Sequence, residues 1–188
     1  KPTVAGTRLR LTLDAEVQAR TEEVLQGVGE TYKPKGATAI VMDPRDGHVL
    51  AMANWPRINA NDPGAAPAWA TQNRAVGFTF EPGSTFKAFT VAGALQDGLV
   101  KPETTFDVPP EIKVADRTIG ESHPVGYRTL SVADILAQSS NVGTVMIGQE
   151  LGDNEFGRWV SKFGFGQPTG IDYPAEEMGI VPTPHEYS

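Results

Sequence analysis

Leucine alternates at positions 9, 11 and 13 of "TRLRLTL" (Thr7 to Leu13), with charged or hydroxyl residues between. Leu9, Leu11 and Leu13 would share one face of an extended chain, which predicts a half-buried strand. The period changes at Asp14. Asp14 has the character of an N-cap, Glu16 falls in the first turn, and Val17, Val24, Leu25 and Val28 follow at helical spacing. Gly27 and Gly29 are expected to end that helix. Two β-rich runs come next, "ATAIVM" (Ala37 to Met42) and "HVLAMA" (His48 to Ala53), on either side of the turn cluster "DPRDG". They predict an antiparallel hairpin. Residues 54–67 are rich in Pro, Asn, Gly and Ala and predict a loop.

Beyond the loop the period is mostly helical. A helix is expected from near Ser84 to about Gln96, with Gly98 as its stop and Phe86, Phe89, Val91, Ala92 and Leu95 on its buried side. Residues 99–129 hold several prolines and short β-like pieces with no clear pattern. Ser131 then caps a short helix, with Asp134 placed for a capping box. "SSN" (Ser139 to Asn141) interrupts it, and Val142 to Leu151 reads as helical again. Asp153 is expected to cap a last helix carrying Phe156, Trp159, Val160 and Phe163 on one face, ended by Gly164. There is no internal repeat and no low-complexity segment.

Strand, helix, hairpin and then mostly helices is the order of an α+β or α/β fold with a helical lobe. A sheet of two or three strands rarely stands alone, so further strands are expected outside these residues. The opening "KPTVAGTRLRL" has no initiator Met, and the close at "PHEYS" lacks a terminating element. Both fit a piece cut from a longer protein. At 188 residues the chain has the size of one domain, or one domain with a lobe.

Composition narrows the function more by exclusion than by suggestion. Hydrophobic content of 39% and charged content of 21% are ordinary for a globular chain. A net charge of -7 argues against nucleic acid or an anionic membrane as main partner, and also fits plain solubility. The chain has no cysteine, which excludes disulfides, a thiol nucleophile and thiolate metal sites. No run approaches the roughly 18 apolar residues of a membrane span, and no signal peptide is visible. No metal-ligand spacing such as His-x-x-x-His occurs, so neither metal nor cofactor is expected. "GVGETYKPKG" lacks the Gly-Lys-Ser/Thr ending of a P-loop. His48, His123 and His185 are scattered; a Ser-His-Asp triad could still use one of them, and His48 reads as structural on its hairpin strand. Trp55, Trp69 and Trp159 read as core or loop anchors rather than a ligand platform.

The candidate chemistry lies in "EPGSTFK" (Glu81 to Lys87). A serine hydroxyl attacks only when a neighbouring base takes its proton. In a helix, i and i+3 share a face, so Lys87 would stand beside Ser84. Pro82 fixes the entry, Gly83 lets backbone approach a ligand, and the helix N-terminus favours the negative charge of an oxyanion, for which the Ser84 amide could be a donor. Lys87 must be neutral to act, and burial would lower its pKa. With seven Ser and seven Lys, about 0.26 such pairs arise by chance, so a capping serine with a solvated lysine would leave the same letters. Ser139-Ser140-Asn141 is a second element, a Ser-x-Asn, which by itself could be simple helix punctuation.

Both elements, in this order and in these surroundings, resemble the motif set of penicillin-binding proteins and serine β-lactamases. The chain resembles the first half of a penicillin-binding transpeptidase domain of class B, cell-division type. "EPGSTFK" and "LAQSSNVGTVMIGQELG" carry the likeness, together with "LTLDAEVQ", "GATAIVMDPRDGHVLAMAN", "QNRAV" and "FGFGQPTGIDYPAE". The resemblance implies an α+β fold, the α/β sandwich of the penicillin-binding and serine β-lactamase type, here truncated to a partial antiparallel sheet with a helical lobe. It makes residues 1–188 the N-terminal part of that domain, lacking the later strands.

The resemblance also implies roles. Ser84 would be the acylated nucleophile and Lys87 its base. Ser139 would relay a proton, and Asn141 would orient Lys87 and bind the substrate amide. The donor would be a peptidoglycan stem peptide ending in D-Ala-D-Ala, which β-lactam antibiotics mimic. The parent protein would be anchored in the bacterial membrane and act on its extracytoplasmic face, in septal wall synthesis, with a glycosyltransferase and division proteins as possible partners. The third family motif, Lys-Thr-Gly, is absent; "PTG" (Pro168 to Gly170) lacks the lysine. The isolated chain is therefore expected to have little transpeptidase activity. Two rival readings share the Ser-x-x-Lys site: a serine β-lactamase, with Glu176 or Glu177 as a deacylating base, and a non-catalytic β-lactam sensor. "PAEEMGIVPTP" does not resemble the Glu-x-x-Leu-Asn pattern of class A β-lactamases.

Overall fold

The computed structural model describes residues 4–183 and 186, which separate into two compact units. The first comprises residues up to Phe78 together with Tyr173–Glu177; the second comprises Thr79–Asp172 and the residues from Met178 on. Helices alternate with two-stranded antiparallel sheets, which makes the fold α+β.

The first unit is a long helix on a hairpin. Helix α1 (Ala15–Tyr32) starts where expected, because the Asp14 carboxylate accepts from the amides of Glu16 and Val17. It does not end at Gly27 or Gly29. It runs on to Tyr32 and closes through Lys33 in the left-handed region. Gly29 serves packing instead: a Cβ there would lie 2.1 Å from the Trp55 indole, so only glycine lets the helix lie this close to the ring. Strands β1 (Ala37–Met42) and β2 (Val49–Trp55) form the predicted hairpin, with Ile40 opposite Met52. Gln18 locks α1 to it. Its amide oxygen accepts from Met52 N–H at 2.8 Å and its nitrogen donates to Met52 O at 3.1 Å, as a neighbouring strand would.

The strand expected at 7–13 does not form. Leu9 is 81% exposed, and among the described residues the segment bonds to β2 at its end, through Thr12 Oγ1 to Val49 O, followed by Asp14 N–H to Leu50 O. Alternation supplies a face to bury, but a strand also needs a ladder of backbone partners, and among the described residues this segment has none. His48 sits one residue outside β2, at the end of the turn, with Nδ1 3.1 Å from Asp46. His123 is exposed, and His185 lies outside the described residues.

The second unit packs helices over two small sheets. A short helix α2 (Arg74–Gly77) closes the first unit; α3 (Lys87–Gln96) opens the second, preceded by a 3₁₀ turn over Gly83–Phe86. Four short strands occupy the stretch that carried no clear pattern: β3 (Thr105–Val108), β4 (Glu111–Val114), β5 (Arg117–Gly120) and β6 (Arg128–Ser131). Strand β3 pairs with β6, and β4 with β5. Ser131 and Asp134 form the expected capping box at α4 (Val132–Ala137). After the Ser139–Asn141 interruption come α5 (Asn141–Leu151) and α6 (Asp153–Lys162). Asp153 is the first helical residue of α6 rather than its cap; Gly152 holds that position.

Val91 and Ala94 of α3, Val108, Leu130, Val132, Ile135, Val142 and Ile147 make the core of this unit. Leu95 is exposed; Thr90 and Gly93 take its expected place on the buried side. No helix among the described residues is long and apolar enough to cross a membrane.

Candidate active site

Ser84 stands in the 3₁₀ turn, and its carbonyl accepts the Lys87 amide. In a 3₁₀ turn the side chains at i and i+3 eclipse, so this start aligns Ser84 with Lys87 more closely than the expected α-turn would. Gly83 adopts φ 58°, a conformation that glycine takes without strain and that swings the chain from Pro82 into the turn. Phe86, between the two residues, is clamped by ring contacts with Phe89, Phe156 and Phe165 at 5.6, 6.1 and 5.1 Å between centroids. The apolar ring anchors the turn while Ser84 stays exposed.

Lys87 brings the two sequence elements together. Its Nζ donates to Ser139 O at 2.5 Å, to Ser139 Oγ at 3.0 Å and to Asn141 Oδ1 at 2.6 Å. All three acceptors lie within a three-residue segment that the sequence places more than fifty positions away. No Ser84–Lys87 side-chain hydrogen bond occurs among the described residues; in ligand-free sites such bonds are commonly long. Burial pushes the Lys87 amine below its ordinary value, and the Glu121 charge pulls the other way without reversing this. A partly buried lysine with a depressed pKa, one helical turn from an exposed serine hydroxyl, can take that hydroxyl's proton.

Ser139 is held in the left-handed region, φ 56°, uncommon for a residue with a Cβ. The kink turns its carbonyl and hydroxyl to the same amine. The Asn141 amide is oriented from behind: Nδ2 donates to Gly120 O at 2.9 Å, which leaves Oδ1 facing Lys87. Ser140, 1% exposed, caps α5 by accepting from Gly143 N–H at 3.0 Å.

Glu121, just past β5, carried no signal in the sequence. Its side chain is 7% exposed, and it accepts from Ser140 Oγ at 2.5 Å and Asn141 N–H at 2.8 Å, with Arg128 3.7 Å away. A lone glutamate in a pattern-free stretch gives no hint of burial; only the fold brings it under the Ser-x-Asn turn.

Beside Lys87 and Asn141 lies a cleft of about 490 Å³, lined also by Ile119, Thr144, Gln149 and Asp153. Glu176 and Glu177 belong to the first unit, where Glu177 N–H pairs with Val76 O. Among the described residues no group of three or more His, Asp or Glu is placed to hold a metal ion. Trp55 packs on Gly29 and Trp159 on Gly93, while Trp69 is 47% exposed under the Arg74 guanidinium.

The chain is similar in sequence and in fold to proteins of one family. The sequence model of the penicillin binding protein transpeptidase domain matches residues 37–188. A Caulobacter vibrioides protein named probable peptidoglycan D,D-transpeptidase FtsI is 33% identical over 177 residues, covering 94% of this chain and 30% of the relative. Stage V sporulation protein D of Bacillus subtilis is 32% identical over 183 residues, covering 96% and 28%. The crystal structure of penicillin binding protein 3 from Mycobacterium tuberculosis in complex with aztreonam superposes with a TM-score of 0.86 at 31% identity, over 95% of this chain and 40% of that one. The chain thus spans less than a third of the length of these two curated relatives.

Proposed function

Because the chain belongs to the penicillin-binding protein transpeptidase family, we propose that it carries the acylation machinery of a serine D,D-transpeptidase that cross-links peptidoglycan. The observation that carries this reading is the convergence of Ser139 and Asn141 on the amine of Lys87, one turn from Ser84.

In this account neutral Lys87 takes the Ser84 proton as Oγ attacks the carbonyl carbon of the penultimate D-Ala of a stem peptide. The negative charge that develops on the carbonyl oxygen lies near the amide end of α3. The bond to the terminal D-Ala breaks, and its nitrogen takes a proton passed from Lys87 through Ser139, the hydroxyl already bonded to the amine. An amine of a second stem peptide then attacks the Ser84 ester, forms the cross-link and frees the serine. Asn141 holds Lys87 through Oδ1 and is near enough to the cleft to bind the substrate amide as well. β-Lactams enter by the same first step and leave a slowly hydrolysed ester.

The parent protein would work on the extracytoplasmic face of the bacterial membrane in septal wall synthesis, beside a glycosyltransferase and division proteins. The name of one relative, probable peptidoglycan D,D-transpeptidase, favours wall synthesis. The 188 residues hold no Lys-Thr-Gly, the motif that in the family would supply a substrate-carboxylate cation and a further oxyanion donor. Loss of one such donor costs about 10²–10³ in rate. The isolated chain is therefore expected to react far more slowly than the full-length protein.

The test is D-Ala release and cross-link formation from a stem-peptide donor by the full-length protein. The proposal expects both in the wild type and neither in Ser84→Ala. Rapid, repeated β-lactam hydrolysis without cross-linking would contradict it in favour of a β-lactamase.

A further inference from the structure

The three acceptors around Lys87 all belong to residues 139–141, so the position of that turn decides the position of the amine. The turn is strained at Ser139 and opens the N-terminus of α5, whose first amides lack helical partners. Something must satisfy those donors and hold the kink closed. Glu121 does both. One carboxylate oxygen accepts from Ser140 Oγ and the other from Asn141 N–H, and Val142 N–H is also directed to it.

We propose that Glu121 is a positioning residue of this site, an ionised carboxylate that clamps the Ser139–Asn141 turn against Lys87. The proposal rests on the acylation chemistry assigned above.

The surroundings suit a charge rather than a neutral acid. At 7% exposure, burial alone would push the Glu121 carboxyl up. The donors of Ser140, Asn141 and Val142, with the Arg128 cation, outweigh this and hold it below its ordinary value. Gly120, its chain neighbour, orients the Asn141 amide, so the end of β5 fixes both the backbone and the side chain of the Ser-x-Asn element. The charged groups around the pair are Glu121 itself, Arg128 on β6 and, along the cleft, Asp153 at the start of α6. The Glu121 charge also favours the protonated form of Lys87.

These facts give a readout that a merely structural glutamate would not move. Acylation needs neutral Lys87, so its rate rises with pH through the Lys87 pKa. Glu121→Gln removes the charge and replaces one carboxylate oxygen by an amide donor, so the side chain can no longer accept from both Ser140 Oγ and Asn141 N–H. In the full-length protein, acylation by ampicillin should slow at least tenfold at its plateau. The rising limb should also move to lower pH, by about half a unit or more. Glu121→Asp, which keeps the charge, should leave the limb near its wild-type position. An unmoved limb in Glu121→Gln, or a plateau rate within twofold of wild type, overturns the proposal.

Should Glu121→Gln fail to fold, Glu121→Asp carries the test. It keeps the charge but shortens the reach to Ser140 Oγ and Asn141 N–H. Its plateau rate should fall several-fold with the limb in place, and a plateau within twofold of wild type or a displaced limb overturns the proposal. Wild type is the control for the underlying chemistry: if it is not acylated at Ser84, both readings fall, whereas an acylated wild type with an unmoved variant limb removes only the role of Glu121.

Discussion

Lys87 is the residue whose environment matters most to the chemistry. It is partly buried, it makes three hydrogen bonds to one turn, and its amine is held below its ordinary pKa by burial. Arginine would keep the charge and reach the same acceptors but cannot lose its proton. Lys87→Arg should therefore fold normally and lose about 10²–10⁴ in acylation rate, the range a positioned base supplies. The measurement is the second-order rate of β-lactam labelling, with thermal denaturation as the fold control; a loss under tenfold would show that Lys87 is not the base. The sign of the pH effect follows from the same group. As pH falls through the Lys87 value the amine protonates and acylation declines, and the midpoint should lie below that of an ordinary lysine. Ser84 and Lys87 were legible as a pair from their spacing, but the sequence could not distinguish a nucleophile from a cap. What favours the nucleophile reading is Lys87's attachment to residues 139 and 141, a contact that exists only in the fold.

At the scale of elements, local signals were reliable where the partner group lies within a few residues. The Asp14 cap and the Ser131–Asp134 capping box are such cases, and both occur where expected. Ser131→Ala should destabilise the second unit by about 1 kcal/mol through loss of the cap. Hydrogen bonds from Ser131 hold the Asp134 carboxyl below its usual value, so its contribution is present above the ordinary Asp range and disappears as pH falls through the folded value. The Ser131→Ala deficit in melting temperature should thus be larger at pH 7 than at pH 3, and an equal deficit at both would refute the capping-box account.

Signals failed where the partner is distant. Residues 7–13 alternate like a strand but lack a ladder, and β3 finds β6 more than twenty residues away with only four residues in each. Gly29 looked like a helix stop because the letters show its missing side chain and not the Trp55 ring that needs the space. Gly29→Ala should cost about 1–3 kcal/mol by overpacking, read by denaturant melting; a gain in stability, as propensity alone would give, would contradict the packing role.

For the molecule as a whole, the chemistry and the larger buried core fall in the same unit. Ile135, 0% exposed, packs below the Ser139–Asn141 turn, and its carbonyl accepts the Ser140 amide. Ile135→Ala should lose about 2–5 kcal/mol of stability and weaken acylation with it. Retention of full acylation with that loss of stability would show that the turn does not lean on this core. The α+β class was readable from the order of periods, since it depends only on which elements exist. Their assembly into two units was not, because Tyr173–Glu177 joins the first unit from the far end of the chain. Glu121 was invisible for a related reason: its role comes from burial under a turn about twenty residues further on, and no local pattern encodes that.

The central claim is that Ser84 is the nucleophile of an acyl-enzyme. It is tested most directly by intact mass measurement of the full-length protein incubated with ampicillin, followed by peptide mapping. The account predicts one equivalent of intact antibiotic added per chain, located on the peptide containing Ser84 and absent from Ser84→Ala. An unmodified wild-type mass, or an adduct that survives in Ser84→Ala, would contradict it.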